Sequence, residues 1–120
     1  MDESQPIFMQ IMEIIENDIL RGVYHTGDLI ISTTQISNLY SVNPATAVKA
    51  VSKLTDEGIL YKKRGIGMCV TPEALSIIGH RRKDAFINKT LRTVLAEAQT
   101  LGISMDELIS MLQSEGTDND

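Results

Sequence analysis

Lys49, Lys53, Lys62, Lys63 and Arg64 fall in one short stretch whose only carboxylates are Asp56 and Glu57. Five cations against two anions leave the stretch at +3 in a chain of formal net charge −5, so the remainder carries −8. Recognition depends on where charges sit rather than on their sum. Clustered ammonium and guanidinium donors suit the phosphate oxygens of a nucleic acid. In the run Lys62-Lys63-Arg64-Gly65, glycine allows a tight turn and a close backbone approach, so the cations can lie along phosphates or enter a minor groove.

A second group precedes it. Asn43-Pro44-Ala45-Thr46 leads through Val48 to Lys49 and Lys53. At the amino-terminal end of a helix in a major groove, Thr46 donates to phosphate and Ala45 and Val48 suit a thymine methyl. Lys49 reaches guanine or phosphate, and Lys53, one turn on, meets backbone only. Asn43 either caps the helix or reaches a phosphate. Taken alone, Lys49 and Lys53 also read as the solvated face of a helix; the basic turn that follows favours the DNA face.

Other chemistries find less support. Gly65-Ile66-Gly67 as a dinucleotide loop needs a third glycine and a helix directly after it, whereas Met68-Cys69-Val70 is strand-like. The single Cys69 forms no internal disulfide, and His25 and His80 lie too far from it for zinc-ligand spacing, so neither metal nor cofactor is expected. No nucleophile has a base beside it, which argues against an enzyme. His80-Arg81-Arg82-Lys83 is a second basic cluster; a solvated helix face is its plain reading, with contact to flanking DNA or to a partner as the alternative.

The elements that must position these groups follow from periodicity and caps. Pro6 and the apolar series Ile7, Phe8, Ile11, Ile14, Ile15 and Ile19 predict a helix from about Pro6 to Arg21, stopped at Gly22. After a turn at Gly27-Asp28, Leu29-Ile31 reads as a short strand or extended linker. Ser32-Thr33-Thr34-Gln35 has capping-box form and starts a helix over 33–40. Asn43-Pro44 opens a third helix over 44–57, with Ala47, Ala50, Val51 and Leu54 inward. Ile59-Lys63 and Met68-Thr71 flank the basic turn as a β-hairpin.

Thr71-Pro72-Glu73 looks like the start of a long helix reaching Leu101, along which Ile87, Leu91, Val94, Ala98 and Leu101 recur at heptad-like spacing. Gly102 ends it, and a second capping box at Ser104-Glu107 starts a last helix with Met105, Leu108, Ile109 and Leu112 on one stripe. A chain of 120 residues leaves nothing else to cover two such stripes, so a homodimer is expected, with two-fold symmetry. The fold class is therefore mainly α with a small β-hairpin: a winged helix-turn-helix over 1–71, a two-helix dimerisation region over 72–114, and a disordered tail over 115–120. Lacking a membrane span or secretory signal, the protein is expected in the cytoplasm, without membrane partners.

Several runs in order resemble the GntR-type bacterial transcription regulators: Pro6-Ile11, Ile19-Gly22, Gly27-Asp28, Val42-Thr46, Lys49-Ala50, Leu54, Glu57-Leu60 and Arg64-Val70. The short carboxy-terminal part and Val42-Asn43-Pro44 are similar to the YtrA-type subgroup. That resemblance implies a dimeric repressor, often of its own operon and of ABC-transporter genes. It also carries Ser32 and Thr34 to the DNA face. Where the family usually has Pro-Ser-Glu-Arg, this chain has Ile31-Ser32-Thr33-Thr34, so Thr34 stands at an arginine position and more weight falls on Lys49, Lys53 and Lys62-Gly65.

The expectation is thus a homodimer on double-stranded, palindromic operator DNA. Its rival is a protein-interaction module that uses the winged helix only as a scaffold. No effector is indicated; one would have to sit at the dimer interface or against the winged helix.

Overall fold

The computed structural model describes residues 3–118. Its elements are α1 (Ile7–Leu20), α2 (Thr33–Tyr40), α3 (Pro44–Asp56), β1 (Leu60–Lys63), β2 (Gly67–Val70), α4 (Ala74–Ala85), a π-helical segment (Phe86–Leu91), α5 (Arg92–Thr100) and α6 (Met105–Asp118). The chain divides into two compact units, Met1–Arg81 and Arg82–Asp120. The first extends past the boundary expected at 71 because Ala74 and Ile78 of α4 are fully buried in its core. Among the described residues, no helix is long and apolar enough to cross a membrane.

In the first unit, Ile11, Ile15 and Ile19 of α1 meet Ile36 of α2 and Ala47, Ala50, Val51 and Leu54 of α3. The four inward residues expected on α3 are the four that are buried. Each fully buried isoleucine or leucine stabilises the fold by about 1.5–3 kcal/mol relative to exposure. Ile59, Leu60 and Val70 bring the hairpin onto the same core.

Helix ends follow one rule. After α1 and α3, Gly22 and Gly58 take positive φ, and paired amide-to-carbonyl bonds close a Schellman turn: Val23 to Asp18 and Gly22 to Ile19, Ile59 to Leu54 and Gly58 to Thr55. At the start of α2, the Ser32 hydroxyl accepts from the Gln35 amide at 3.1 Å and the Gln35 side chain accepts from the Ser32 amide at 2.8 Å, the expected capping box. Asn43 Oδ1 accepts from the Ala45 amide at 2.9 Å, so the asparagine caps α3.

Between α2 and α3 the chain turns without glycine. Ser41 holds φ at 54°, the Val42 amide donates to the Ser37 carbonyl at 3.1 Å, and the buried Ser37 hydroxyl donates to the Val42 carbonyl at 2.7 Å. Here the left-handed residue that ends the helix has a Cβ, which costs about 1–2 kcal/mol.

β1 and β2 pair antiparallel, Leu60 opposite Val70 and Lys63 opposite Gly67. Of the two readings of Leu29-Ile31, short strand or extended linker, the structure has an extended segment with a single bridge, Leu29 to Cys69, supported by the Ile30 amide donating to the Met68 carbonyl at 2.9 Å. Gly67 holds φ at 139°, a conformation strained for any residue with a Cβ, and a Cβ there would also push on the Leu29 side chain, 2.9 Å away at Cδ1.

Three further expectations change. Thr71 does not cap the fourth helix: it is buried, and its hydroxyl donates to the Gly58 carbonyl at 2.6 Å, tying the end of the hairpin to the end of α3, so α4 begins at Ala74. The single helix expected to reach Leu101 is divided by the π-helical Phe86–Leu91, which shifts the phase of the apolar repeat. The tail expected from 115 is helical to Asp118, because Gly116 keeps helical geometry and supplies no left-handed stop; residues 119–120 lie outside the described residues.

In the second unit α5 and α6 are joined by a third Schellman turn, Gly102 at φ 72° with the Ile103 amide on the Ala98 carbonyl at 2.9 Å. The Ser104 hydroxyl caps α6 by accepting from the Glu107 amide at 3.1 Å.

Replacing Ser41 with glycine should raise unfolding stability by about 1 kcal/mol through relief of the left-handed strain. Urea denaturation measures this, and an unchanged or lower midpoint for Ser41→Gly would show that the turn carries no such strain.

Candidate nucleic-acid interface

Both caps of the helix-turn-helix are made by side chains that also belong to the candidate DNA face. Ser32 and Asn43 are exposed, yet each already accepts from a backbone amide. Asn43 had two readings from sequence, and the structure uses it as a cap. Thr34, Ala45, Val48, Lys49 and Lys53 are exposed, and Thr46 is half-buried beside them. The apolar Val48 is half exposed, at 50%, although it is aliphatic and on a well-packed helix. An aliphatic side chain held toward solvent among polar neighbours can meet an apolar group such as a thymine methyl.

The hairpin places Lys62, Lys63, Arg64 and Gly65 at an exposed tip. The Ile66 amide donates to the Lys63 carbonyl at 3.0 Å, and Gly65 at φ 79° occupies the third position of that β-turn, where a positive φ is required. A strand begins at Gly67, so a dinucleotide loop, which needs a helix there, is ruled out.

Wing and helix-turn-helix share a surface. A cleft of about 310 Å³ is lined by Lys62 and Met68 of the hairpin, by Ser32 and Gln35 at the start of α2, and by Val51 of α3. Folding thus brings Ser32 and Lys62 to one groove, although thirty positions separate them in the chain.

Lys49 stands with its Nζ 4.2 Å from the centroid of the Phe8 ring on α1. In the sequence Phe8 belongs to the apolar stripe of α1 and to the Pro6-Ile11 run. Its position in the first turn, where the stripe reaches the end of the core, is the sole sequence signal that it could serve another group.

The cluster at His80-Lys83 is not simply a solvated face. Arg81 donates to Glu57, the C-cap of α3, at 3.1 Å and to the nearly buried Glu16 of α1 at 3.3 Å. Its guanidinium fork fastens α4 to both helices. At Tyr40, at the end of α2, burial first and then the Asp18 carboxylate and Tyr24 push the phenol up from its ordinary value, so it stays protonated and adds no charge.

The expected dimerisation residues lie in the second unit. Ile87, Leu91, Val94, Leu101 and Leu112 are exposed, Leu108 is half-buried and only Ala98 is buried. Leu95, which the heptad count omitted, is exposed as well. With Ala98, Ile103, Met105 and Leu108 it lines a cleft of about 430 Å³ between α5 and α6.

Three helices, a tight turn before the third and a cationic hairpin after it define the winged helix-turn-helix class of DNA-binding domain. Residues 9–70 match the model for bacterial regulatory proteins of the gntR family, and the chain belongs to that family. It is similar to the HTH-type transcriptional repressor YtrA of Bacillus subtilis (strain 168), with 26% identity over 115 residues that cover 96% of this chain and 88% of the relative. A solved transcriptional regulator of the GntR family from Bacteroides thetaiotaomicron shares 30% identity at a TM-score of 0.76, covering 96% of this chain and all of that one. The fold is also that of BusR from S. agalactiae, solved in complex with its busAB-promotor DNA, at 23% identity and a TM-score of 0.56 over 95% of this chain and 57% of that one.

Arg81→Met should lower stability by about 1–2 kcal/mol, because it removes a charged partner from a carboxylate that is only 10% exposed. Chemical denaturation tests this; an unchanged midpoint would mean that Arg81 does not hold α4.

Proposed function

We propose that this protein is a cytoplasmic, homodimeric, sequence-specific repressor that acts on its own operon and on ABC-transporter genes. The observation that carries the DNA-binding part is the shared exposure of α3's Val48, Lys49 and Lys53 and the wing's Lys62, Lys63 and Arg64 on one folded unit of an acidic chain. The gntR-family match and the repressor named among its relatives support the regulatory part. BusR's promoter complex supports duplex DNA as the partner.

In this reading α3 enters the major groove, where Ala45, Val48 and Lys49 face base edges and Thr46 donates to phosphate. Lys53 contacts backbone. Lys62, Lys63, Arg64 and the backbone at Gly65 hold the flanking phosphates or the minor groove. Ser32 and Thr34 bring the start of α2 to a phosphate, with threonine where relatives of the resemblance carry arginine.

The partner copy covers the second unit. Ile87, Leu91, Val94 and Leu101 would be poor residues to leave in water together, and Leu108 and Leu112 of α6 extend the patch beside Ala98. Two-fold symmetry then requires an operator with inverted half-sites about one helical turn apart.

Lys49→Ala should weaken operator binding by about 1 kcal/mol or more, and Arg64→Ala should reduce the salt slope by about one, with melting temperatures unchanged. Mobility shifts across a salt series with the DNA upstream of the gene read both, and undiminished binding by the two variants would overturn the assigned face. Leu91→Asp should give a monomer by sedimentation and lose the operator with it, since a charge cannot be buried unpaired in the seam. A dimer that persists would mean that the seam is closed within one chain.

A further inference from the structure

We infer that Phe8 is a positioning residue for DNA recognition, holding the Lys49 ammonium at the face of α3 before DNA arrives. The inference rests on the proposed function and adds to it a residue of α1 that makes no contact with DNA itself.

Phe8 lies in the first turn of α1, half-buried and packed against the core. Its place is fixed from both directions: Pro6 begins the helix, and Gln10 Nε2 donates to the Gln5 carbonyl at 2.9 Å, bracing the same turn. Lys49 is exposed and sits between the buried Ala47 and Ala50, whose small side chains face the interior where α1 and α3 pack together. The lysine ammonium stands over the ring face, with Nζ 4.2 Å from the centroid.

An ammonium has three N–H donors, and a ring face beneath it engages only one side. The others remain available to a guanine edge or a phosphate. An exposed lysine otherwise samples many rotamers and must lose that freedom on binding. The ring limits it in advance, which lowers the cost of binding without adding a contact.

This matters more in this chain than a lone surface contact would suggest. Asn43 and Ser32 are engaged as caps, and Thr34 is too short to reach as an arginine does. On the exposed part of the first turns of α3, Lys49 is then the only cation, and its direction governs what that helix can read.

The test uses the full chain and a duplex that the wild-type protein selects from a random pool. Dissociation constants are measured for Phe8→Leu, Phe8→Tyr, Lys49→Met and the double variant Phe8→Leu/Lys49→Met, with melting temperatures alongside. Phe8→Leu is expected to weaken binding about three-fold, the size of an exposed cation–π contact. Phe8→Tyr, which keeps the ring face, should match wild type. In the Lys49→Met background Phe8→Leu should have no further effect.

Wild-type affinity for Phe8→Leu, or an equal loss in the Lys49→Met background, overturns the positioning role and leaves the DNA-binding reading intact. A pool that yields no preferred duplex, or wild-type binding by Lys49→Met, overturns the assigned DNA face and this inference with it.

Discussion

Ala47 and Ala50 present only methyl groups to the interior, so the backbone of α3 lies close against α1 and α2 while Val51 and Leu54 fill the space behind. Larger side chains at the two alanines would overpack a core that already holds Ile11, Ile15 and Ile36. That close seating fixes the azimuth of α3 and therefore which of its residues point outward. Lys49 and Val48 are exposed because their neighbours are buried without slack. The ends of α3 inherit the same constraint: its start is set by the Asn43 cap and its finish by Gly58, whose carbonyl accepts from Thr71 at the base of the hairpin.

Polar side chains near the recognition surface divide into those that shape it and those left to act on a ligand. Ser32, Ser37 and Asn43 satisfy backbone groups at helix ends or in the turn, where an unpaired group would be costly. The cations are different, since exposed lysines gain little from structural ion pairs. Arg81 differs from them. Its two carboxylate partners lie on α1 and at the C-cap of α3, so the charge that looked available in the sequence is engaged within the fold.

Much was legible because it is local. Caps, glycine stops and the alternation of buried positions on α1 and α3 depend on spacings within a turn or two, and the first three helices match the expected ones to within a residue or two. Thr71 was misread for the same reason. Thr-Pro-Glu is a good local helix start, but the Gly58 carbonyl, thirteen positions away in the chain, takes the hydroxyl instead. The π-helical segment at Phe86–Leu91 was equally hidden, because a heptad count assumes a constant turn.

By itself the sequence determined the order of elements, the identity of the core and the placement of positive charge, all of which follow from composition and short-range periodicity. Only tertiary structure decided which polar groups remain available. It placed Phe8 under Lys49, Glu16 and Glu57 around Arg81, and Ser32 across a groove from Lys62. Those pairings join residues far apart in the chain, and the distance between two side chains on different elements is set by how the elements pack rather than by the spacing of either sequence.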